Sequence, residues 1–446
     1  MATLELIDEM TNEICKLRGI DLPPICIKIL VLTYIMYAMN TYDVKYRNEN
    51  NQEVRLNGGC LILCQKGSGK SRTLRTLKQI FKAVDEERQR RYDEYRHTKI
   101  GLLEQKTIPL TKEEIQRKED FFDKYGLQAV NSFDDPITQK ALCEVYGMMK
   151  DYGVKNILFS VDEVGDRMIK EYCSTNPSLS AKDFMTSLNQ LFDGYCAMGQ
   201  SSTSRKEKIS SQYGVGANFI FVSTAEFLKD FRVQQRYRDV LEGGLGRRLL
   251  YVNCPPIDQV NANRQRIPAD FTQFEVKVNA LLKGNRSWLR GRSIPASEDL
   301  WQQALEKKGS GAGLTIAEEF LLLLFCTTLA AWTLDEEIKM YHWNYMVGVY
   351  KEIKELAVEV VKIDTTSYDK ICIFIKEHLA ERSNRKKVPI ALVKDFCART
   401  HLCYENQFKK WFASLLADFA DTNLSKYLIQ KNQNQVWLEE NFAYEG

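Results

Sequence analysis

The chain has 446 residues, 44% of them hydrophobic and 27% charged, with a formal net charge of +3. That apolar content supports true cores and the length suits about two to four domains. The near balance of charge excludes a polycation, so any nucleic-acid contact must come from local patches. Twelve cysteines are scattered without a CxxC, and Cys397, His401 and Cys403 lack a fourth ligand at zinc spacing. Free thiols in a reducing, cytoplasmic setting fit this usage better than a disulfide framework or a zinc site. The N-terminus is acidic and lacks the apolar stretch of a signal peptide. Ile27–Met39 and Phe320–Leu334 are apolar but short for a membrane span, so they read as buried helices and no membrane partner is expected.

In chain order, residues 1–20 carry Leu4, Ile7, Met10, Ile14 and Leu17 at helical spacing, and Pro23-Pro24 opens a second helix to about Met39. The pair, with residues to 45, is expected to pack on the following core. Val44, Tyr46 and Val54 alternate in a polar stretch that suits a short hairpin. Then an apolar run from Cys60 to Cys64 meets the turn Gln65-Lys-Gly-Ser-Gly, and Lys70-Ser71 opens a helical pattern. Strand, glycine-rich turn and Gly-Lys-Ser make a phosphate-binding P-loop. Gly67 and Gly69 let backbone N–H groups curl round phosphate oxygens, and the helix directs its positive end at the same anion. The expected nucleotide-contacting residues are Gly67, Ser68, Gly69, Lys70, Ser71 and Arg72, with Lys70 on the phosphates and the Ser71 hydroxyl on Mg2+. The usual pattern has glycine where Cys64 stands, and strain is expected there.

The charged stretch from Asp85 to Lys99 reads as a solvated helix within an insertion of about 82–125, or as a segment that reaches a partner. Further expectations are a helix over 111–122, a strand over 127–131 and a helix from Asp135 to about Tyr152. Asn156-Ile-Leu-Phe-Ser-Val-Asp162-Glu163 is an apolar strand ending in two carboxylates. Asp162 would hold Mg2+ and Glu163 would orient and deprotonate a lytic water. An amphipathic helix over 183–197 leads to the hydroxyl-rich loop 199–214, basic through Arg205, Lys206 and Lys208. It reads as a surface loop or as a hairpin gripping a phosphate backbone. The strand 217–224 ends in Ser223 and Thr224, either capping the next helix or hydrogen-bonding the lytic water, with Thr224 the catalytic candidate. Arg247 and Arg248 stand between a glycine-rich turn and an apolar strand, a place for an arginine that neutralises charge on a transferring phosphoryl group.

Lys66–Arg72, Phe159–Gly165, Leu191-Phe-Asp-Gly194 and Gly243–Leu249, in this order, resemble an AAA+ ATPase core. They are most similar to the primase–helicase-like P-loop ATPases of bacteriophages and integrated mobile elements, over roughly residues 20–256. The resemblance implies ATP hydrolysis, a homo-oligomer such as a hexameric ring, and a role in DNA replication beside other replication or element-encoded proteins. It implies Lys70 and Ser71 as Walker A, Asp162 and Glu163 as Walker B, a sensor at Ser223 or Thr224, and Arg247 as the arginine finger. It also implies the fold class: an α/β core with a parallel sheet flanked by helices (46–256) and a helical lid or connector (257–365), where Arg264 or Arg266 is a second-sensor candidate.

From about 366 the pattern changes to three helices and two strands round the turn 431–434, the plan of a winged helix. Its helix 405–419 carries Asn406, Gln407, Lys409 and Lys410, side chains suited to bases and phosphates or, in another reading, to a protein surface. The leading expectation is a replicative helicase or initiator acting on single- or double-stranded DNA. An ATP-gated regulatory switch, such as a transposition regulator or anti-phage defence ATPase, is the alternative within the same chemistry. A non-catalytic DNA-binding scaffold is the alternative outside it.

Overall fold

The computed structural model describes residues 4–17, 19–104, 142–143, 145–147, 149, 156–173, 177–197, 211–225, 237, 248–254, 270–305, 314–360, 371, 374, 388–399, 402–403, 407–418, 428–432 and 435–438. The chain forms two compact units, Met1–Ala357 and Val358–Gly446.

In the first unit, α1 (Leu4–Cys15) and α2 (Pro24–Thr41) precede a hairpin of β1 (Lys45–Arg47) and β2 (Glu53–Arg55). The hairpin was expected, and β9 (Ser293–Pro295) adds to it in parallel along β1. The central elements are β3 (Gly58–Leu63), α3 (Lys70–Ile80), α4 (Lys82–Glu104), β4 (Asn156–Asp162), α5 (Leu179–Phe192), the short strands β5 (Tyr195–Cys196) and β6 (Gln212–Tyr213), β7 (Gly216–Ser223) and β8 (Leu249–Asn253). Then come α6 (Thr272–Gly284), α7 (Ile316–Thr333) and α8 (Met340–Val360).

The four-stranded central sheet has the order β4-β7-β3-β8, all parallel. Its strands read as nearly continuous apolar runs because both faces are covered. Cys60, Ile62, Leu158, Ile220, Val222 and Val252 face one core with α1, α2 and α3. Leu61, Leu63, Phe159, Val161, Phe219 and Phe221 face the other, against α5 and the helical residues Leu142, Val145, Tyr146 and Met149. Those helical residues realise part of the helix expected over 135–152, whereas 111–122 and 127–131 lie outside the described residues.

The described residues of 271–356 share the core's apolar cluster rather than forming a separate lid. Phe274, Val278, Leu322, Phe325, Trp332 and Met346 share one apolar cluster with Ile7, Met10, Ile35 and Leu77, and Trp332 lies 6.4 Å from Phe81. The N-terminal helices and the connector are therefore one body with the sheet. Both α2 and α7 are long and apolar enough to cross a bilayer, and most of each is buried inside this cluster.

The charged stretch after the P-loop helix differs from expectation. Helix α3 stops at Ile80 and α4 restarts at Lys82, and one face of its first turns, with Glu87, Arg88 and Arg91, is buried rather than solvated. Arg88 is 1% exposed. Its Nη1 donates to the Asn156 carbonyl and to Asn156 Oδ1, both at 2.8 Å, and its guanidinium lies over the Tyr37 ring. Glu87 takes Arg91 at 2.7 Å and Arg286 at 3.1 Å. Asn40 and Asn218 continue this polar belt, joined at 3.1 Å, and Asn218 donates to the Leu56 carbonyl. The belt ties α2 and α4 to the N-terminal ends of the strands and satisfies polar groups that burial would otherwise penalise.

In the second unit, β10 (Val388–Pro389), β11 (Leu428–Asn432) and β12 (Gln435–Leu438) form an antiparallel sheet in the order β10-β12-β11, beside α9 (Ile390–Arg399) and α10 (Phe408–Asp418). The expected terminal hairpin is present, with Asn432 paired to Gln435 across its turn. On α10, Phe408, Trp411 and Phe412 are buried while Lys409 and Lys410 face out.

Arg88→Met should cost about 2–3 kcal/mol in urea unfolding, because it strips charge-assisted hydrogen bonds from the buried Asn156. Lys82→Ala, removing an exposed pair with Glu86, should cost under about 0.5 kcal/mol.

Candidate functional site

The glycine-rich turn expected as a P-loop leaves the C-terminal end of β3. Cys64 extends the ladder by donating its N–H to the Ser223 carbonyl at 3.0 Å. The strain expected at Cys64 is absent: among the described non-glycine residues only Asp43, Asn51, Glu163 and Leu334 have positive φ. The residue directly follows the last strand residue, Leu63, and its φ is not positive, so a side chain is tolerated there. Its thiol is buried and accepts the Ser68 hydroxyl at 3.3 Å, while the adjoining Cys254 thiol and burial push its pKa up. Cys254 in turn lies with its sulfur 3.2 Å from that of Cys26 on α2. A sulfur-lined joint thus seats the base of the loop.

Gly67 and Gly69 both take left-handed φ, +82° and +89°. Gly69 is additionally pressed against the chain between α1 and α2: a Cβ there would lie 2.4 Å from the Gly19 carbonyl oxygen and 2.7 Å from Ile20 Cα. The Asp21 N–H donates to the Ser68 carbonyl at 2.9 Å. Gly19-Ile20-Asp21 therefore forms a strap across the loop. Sequence reading missed it, because a Gly between two helical patterns signals only a turn. Arg72 points its guanidinium toward Gly19, 3.8 Å from where a Cβ on that glycine would stand.

Beyond the loop, Ser71 donates to Asp162 Oδ2 at 2.5 Å. Lys70 is 6% exposed, with Nζ 3.4 Å from Glu163 Oε1. Glu163 holds φ at +58°, a left-handed value that costs a side-chain-bearing residue of order 1 kcal/mol. Its Oε2 accepts the Thr224 N–H at 3.1 Å and the Ser223 hydroxyl at 3.4 Å. The Ser223 oxygen also accepts the Gly165 N–H at 3.0 Å. Burial works against the Glu163 charge, but the Thr224 N–H and the nearby Lys70 ammonium outweigh it and hold its carboxyl below the usual range.

Lys70, Ser71, Asp162, Glu163 and Thr224 therefore meet at one edge of the sheet. Thr224 meets Glu163 through its backbone N–H, and the hydroxyl that reaches Glu163 is that of the neighbouring Ser223. The Ser71 and Asp162 oxygens are hard donors of the kind Mg2+ accepts when water and phosphate complete its shell. Among the described residues no group of three or more His, Cys, Asp or Glu forms a metal cage. The Leu191–Gly194 and Arg247–Arg248 motifs also connect: Arg248 pairs with Asp193 at 2.8 Å and lies over the Phe192 ring. It is engaged within its own chain. Arg247, Arg205, Lys206, Lys208, Asn406, Arg264 and Arg266 lie outside the described residues. Gln407, Lys409 and Lys410 belong to the second unit. No family model matches the chain, and no curated protein matches it.

Gly69→Ala should destabilise the fold by about 3 kcal/mol, since it adds a backbone overlap to an unfavourable φ. Gly67→Ala, whose Cβ would meet nothing within 4 Å, should cost about 1 kcal/mol. Urea unfolding of the two variants checks the difference.

Proposed function

We propose that this protein is an oligomeric, Mg2+-dependent ATPase that acts on DNA, as a replicative helicase or initiator of a phage or mobile element. The observation that carries the ATPase part is the Ser71–Asp162 contact at 2.5 Å beside the Lys70–Glu163 pair at 3.4 Å. A hydroxyl, a carboxylate, a buried ammonium and a second carboxylate are what phosphoryl transfer to water requires. The AAA+ and winged-helix assignments belong to the same proposal. The parallel sheet with a polar-ended strand between the two motif strands supports the first. The exposed lysines on α10 and the terminal hairpin support the second.

In this mechanism the loop amides and Lys70 hold the β and γ phosphates of ATP. Ser71 and Asp162 hold Mg2+, which when bound neutralises phosphate charge. Glu163 accepts a proton from water as the water oxygen bonds to the γ phosphorus, and the bond from that phosphorus to the bridging oxygen breaks to release ADP. The Thr224 N–H and the Ser223 hydroxyl keep the Glu163 carboxylate aimed. Arg247 of a neighbouring subunit stabilises the charge that develops on the phosphoryl oxygens. The Gly19–Asp21 strap holds the loop's curvature against Gly69 and Ser68.

One observation favours the regulatory-switch reading. Glu163 is paired with Lys70, so the base becomes available only when phosphate draws that ammonium away. Such a resting pair makes release of the base depend on bound nucleotide, as an ATP-gated switch requires.

Steady-state hydrolysis with and without single-stranded DNA tests the proposal. Glu163→Gln should lower kcat at least about 100-fold while leaving ATP affinity little changed. Arg247→Ala should lose turnover alone and regain part of it in oligomers mixed with Glu163→Gln. Turnover that rises with DNA supports the motor, turnover indifferent to DNA supports the switch, and ATP binding with no turnover overturns the enzyme.

A further inference from the structure

One departure from the loop motif has no part in the ATPase site. Where the pattern has glycine the chain has Cys64, and its thiol has company. Cys64 and Cys254 directly follow Leu63 and Asn253, which are paired across β3 and β8, so they leave neighbouring strands side by side. Their thiols adjoin. The Cys254 sulfur also lies 3.2 Å from that of Cys26. Cys26 stands in the first turn of α2, its N–H donating to the Pro23 carbonyl at 2.9 Å. Sulfurs from α2, β8 and the loop thus form a row, Cys26–Cys254–Cys64, at the root of the loop.

The row reaches the nucleotide loop through Ser68. The Ser68 hydroxyl donates to Cys64 Sγ at 3.3 Å, and the Ser68 carbonyl accepts the Asp21 N–H at 2.9 Å. Asp21 belongs to the strap that leads into α2. Ser68 is therefore held by the thiols through its hydroxyl and by the chain entering α2 through its carbonyl. A shift of α2 against the end of β8 is felt at Ser68, and at Gly69, on which Gly19 and Ile20 rest. Close-packed interiors pass such shifts on rather than absorb them.

A disulfide needs its sulfurs about 2.05 Å apart, so Cys26 and Cys254 would close by about 1 Å. Cys254 is 6% exposed, against 1% for Cys64 and 0% for Cys26, so a small oxidant meets Cys254 first. The Cys26 thiol beside it, and burial, push the Cys254 pKa up. The pair therefore rests as thiols and reacts only under sustained oxidant. Cys143 and Cys196 make a second close pair, with sulfurs 2.9 Å apart, but they lie in the cluster on the opposite face of the sheet.

We propose that Cys26 and Cys254 are a redox switch on the nucleotide loop: hydrogen peroxide joins them in a disulfide, and the bond draws the loop out of its ATP-binding shape. The Cys254 sulfur, losing its proton, takes one peroxide oxygen to become a sulfenic acid, and the other oxygen leaves as water. The Cys26 sulfur then bonds to the Cys254 sulfur, and the sulfenic oxygen leaves with the Cys26 proton as a second water. Two thiols are oxidised by two electrons in all, and one peroxide is reduced. The inference rests on the ATP-binding half of the proposed function.

The test treats the full chain with hydrogen peroxide, blocks remaining thiols with iodoacetamide and maps the linked peptides by mass spectrometry. Oxidation of the partly exposed Cys15 and Cys403 gauges the dose. Anisotropy of a fluorescent ATP analogue reads affinity before and after dithiothreitol, and melting curves check each fold. Wild type should show a Cys26–Cys254 bond and bind the analogue about 10-fold more weakly, because a displacement near 1 Å spoils a positioned site. Dithiothreitol should restore the affinity. Cys26→Ala and Cys26→Ser should each keep the reduced affinity of wild type and lose the response to peroxide. No Cys26–Cys254 bond at a dose that oxidises Cys15 would overturn the switch. So would the bond without a change in affinity, or a response that persists in both Cys26 variants or follows a Cys143–Cys196 bond. Each of those results would leave the ATPase reading standing. No binding of the analogue by reduced wild type would overturn that reading and the switch together.

Discussion

The site depends on the level register of three parallel strands. Leu63 of β3 is opposite Ser223 of β7, and Asp162 of β4 is opposite Val222. The three strand ends are thus level to within about one residue, and each hands its next residues to the same edge. Cys64 starts the loop, Thr224 offers an N–H, and Glu163 turns back through a left-handed φ to receive it. A shift of one residue in either pairing would send alternate side chains to the wrong face. The mutual burial of Phe159 and Phe219, stacked at 5.3 Å, guards against that shift from within the core. Packing in the core therefore sets the distances among Lys70, Ser71, Asp162 and Glu163 at the sheet edge.

The elements built on short-range pattern were legible. Strands β3, β4, β7 and β8 fell where apolar runs met polar ends, and the Gly-Lys-Ser turn marked its loop without ambiguity. The pairing of Ser71 with Asp162 followed from motif chemistry alone. What the sequence concealed was long-range. Nothing near Gly19 signals that it will lie on Gly69, and nothing near Cys64 signals the thiols of Cys254 and Cys26. Which of the Ser223 and Thr224 hydroxyls reaches Glu163 was equally hidden, because it turns on which one faces β4. Pleat alternation and the turn after Asp162 bring the Ser223 hydroxyl and the Thr224 N–H to Glu163.

Charge misled in one place for a physical reason. A run such as Asp85-Glu-Glu-Arg-Gln-Arg-Arg reads as solvated when each ion is counted singly. Arg88 and Arg91 are buried because the sheet presents acceptors at its N-terminal ends and Glu87 supplies a shared counter-charge. Aromatic faces from Tyr37 and Tyr42 complete the enclosure. Such partners come from residues scattered across more than a hundred positions, and no local window reveals them. The same logic explains why the N-terminal helices, the sheet and the helices after 270 make one body: each covers polar or apolar groups that another leaves open.

The strap over the P-loop carries an evolutionary consequence. The loop motif is a short cassette that recombination can move between genes, yet here its curvature is completed by a carbonyl and a Cα from Gly19 and Ile20 and by an amide from Asp21. A crossover between α2 and β1 would deliver a loop whose glycine faces a foreign surface. Productive shuffling of this module must therefore carry the first two helices along with it, and those helices should drift in step with the loop they enclose.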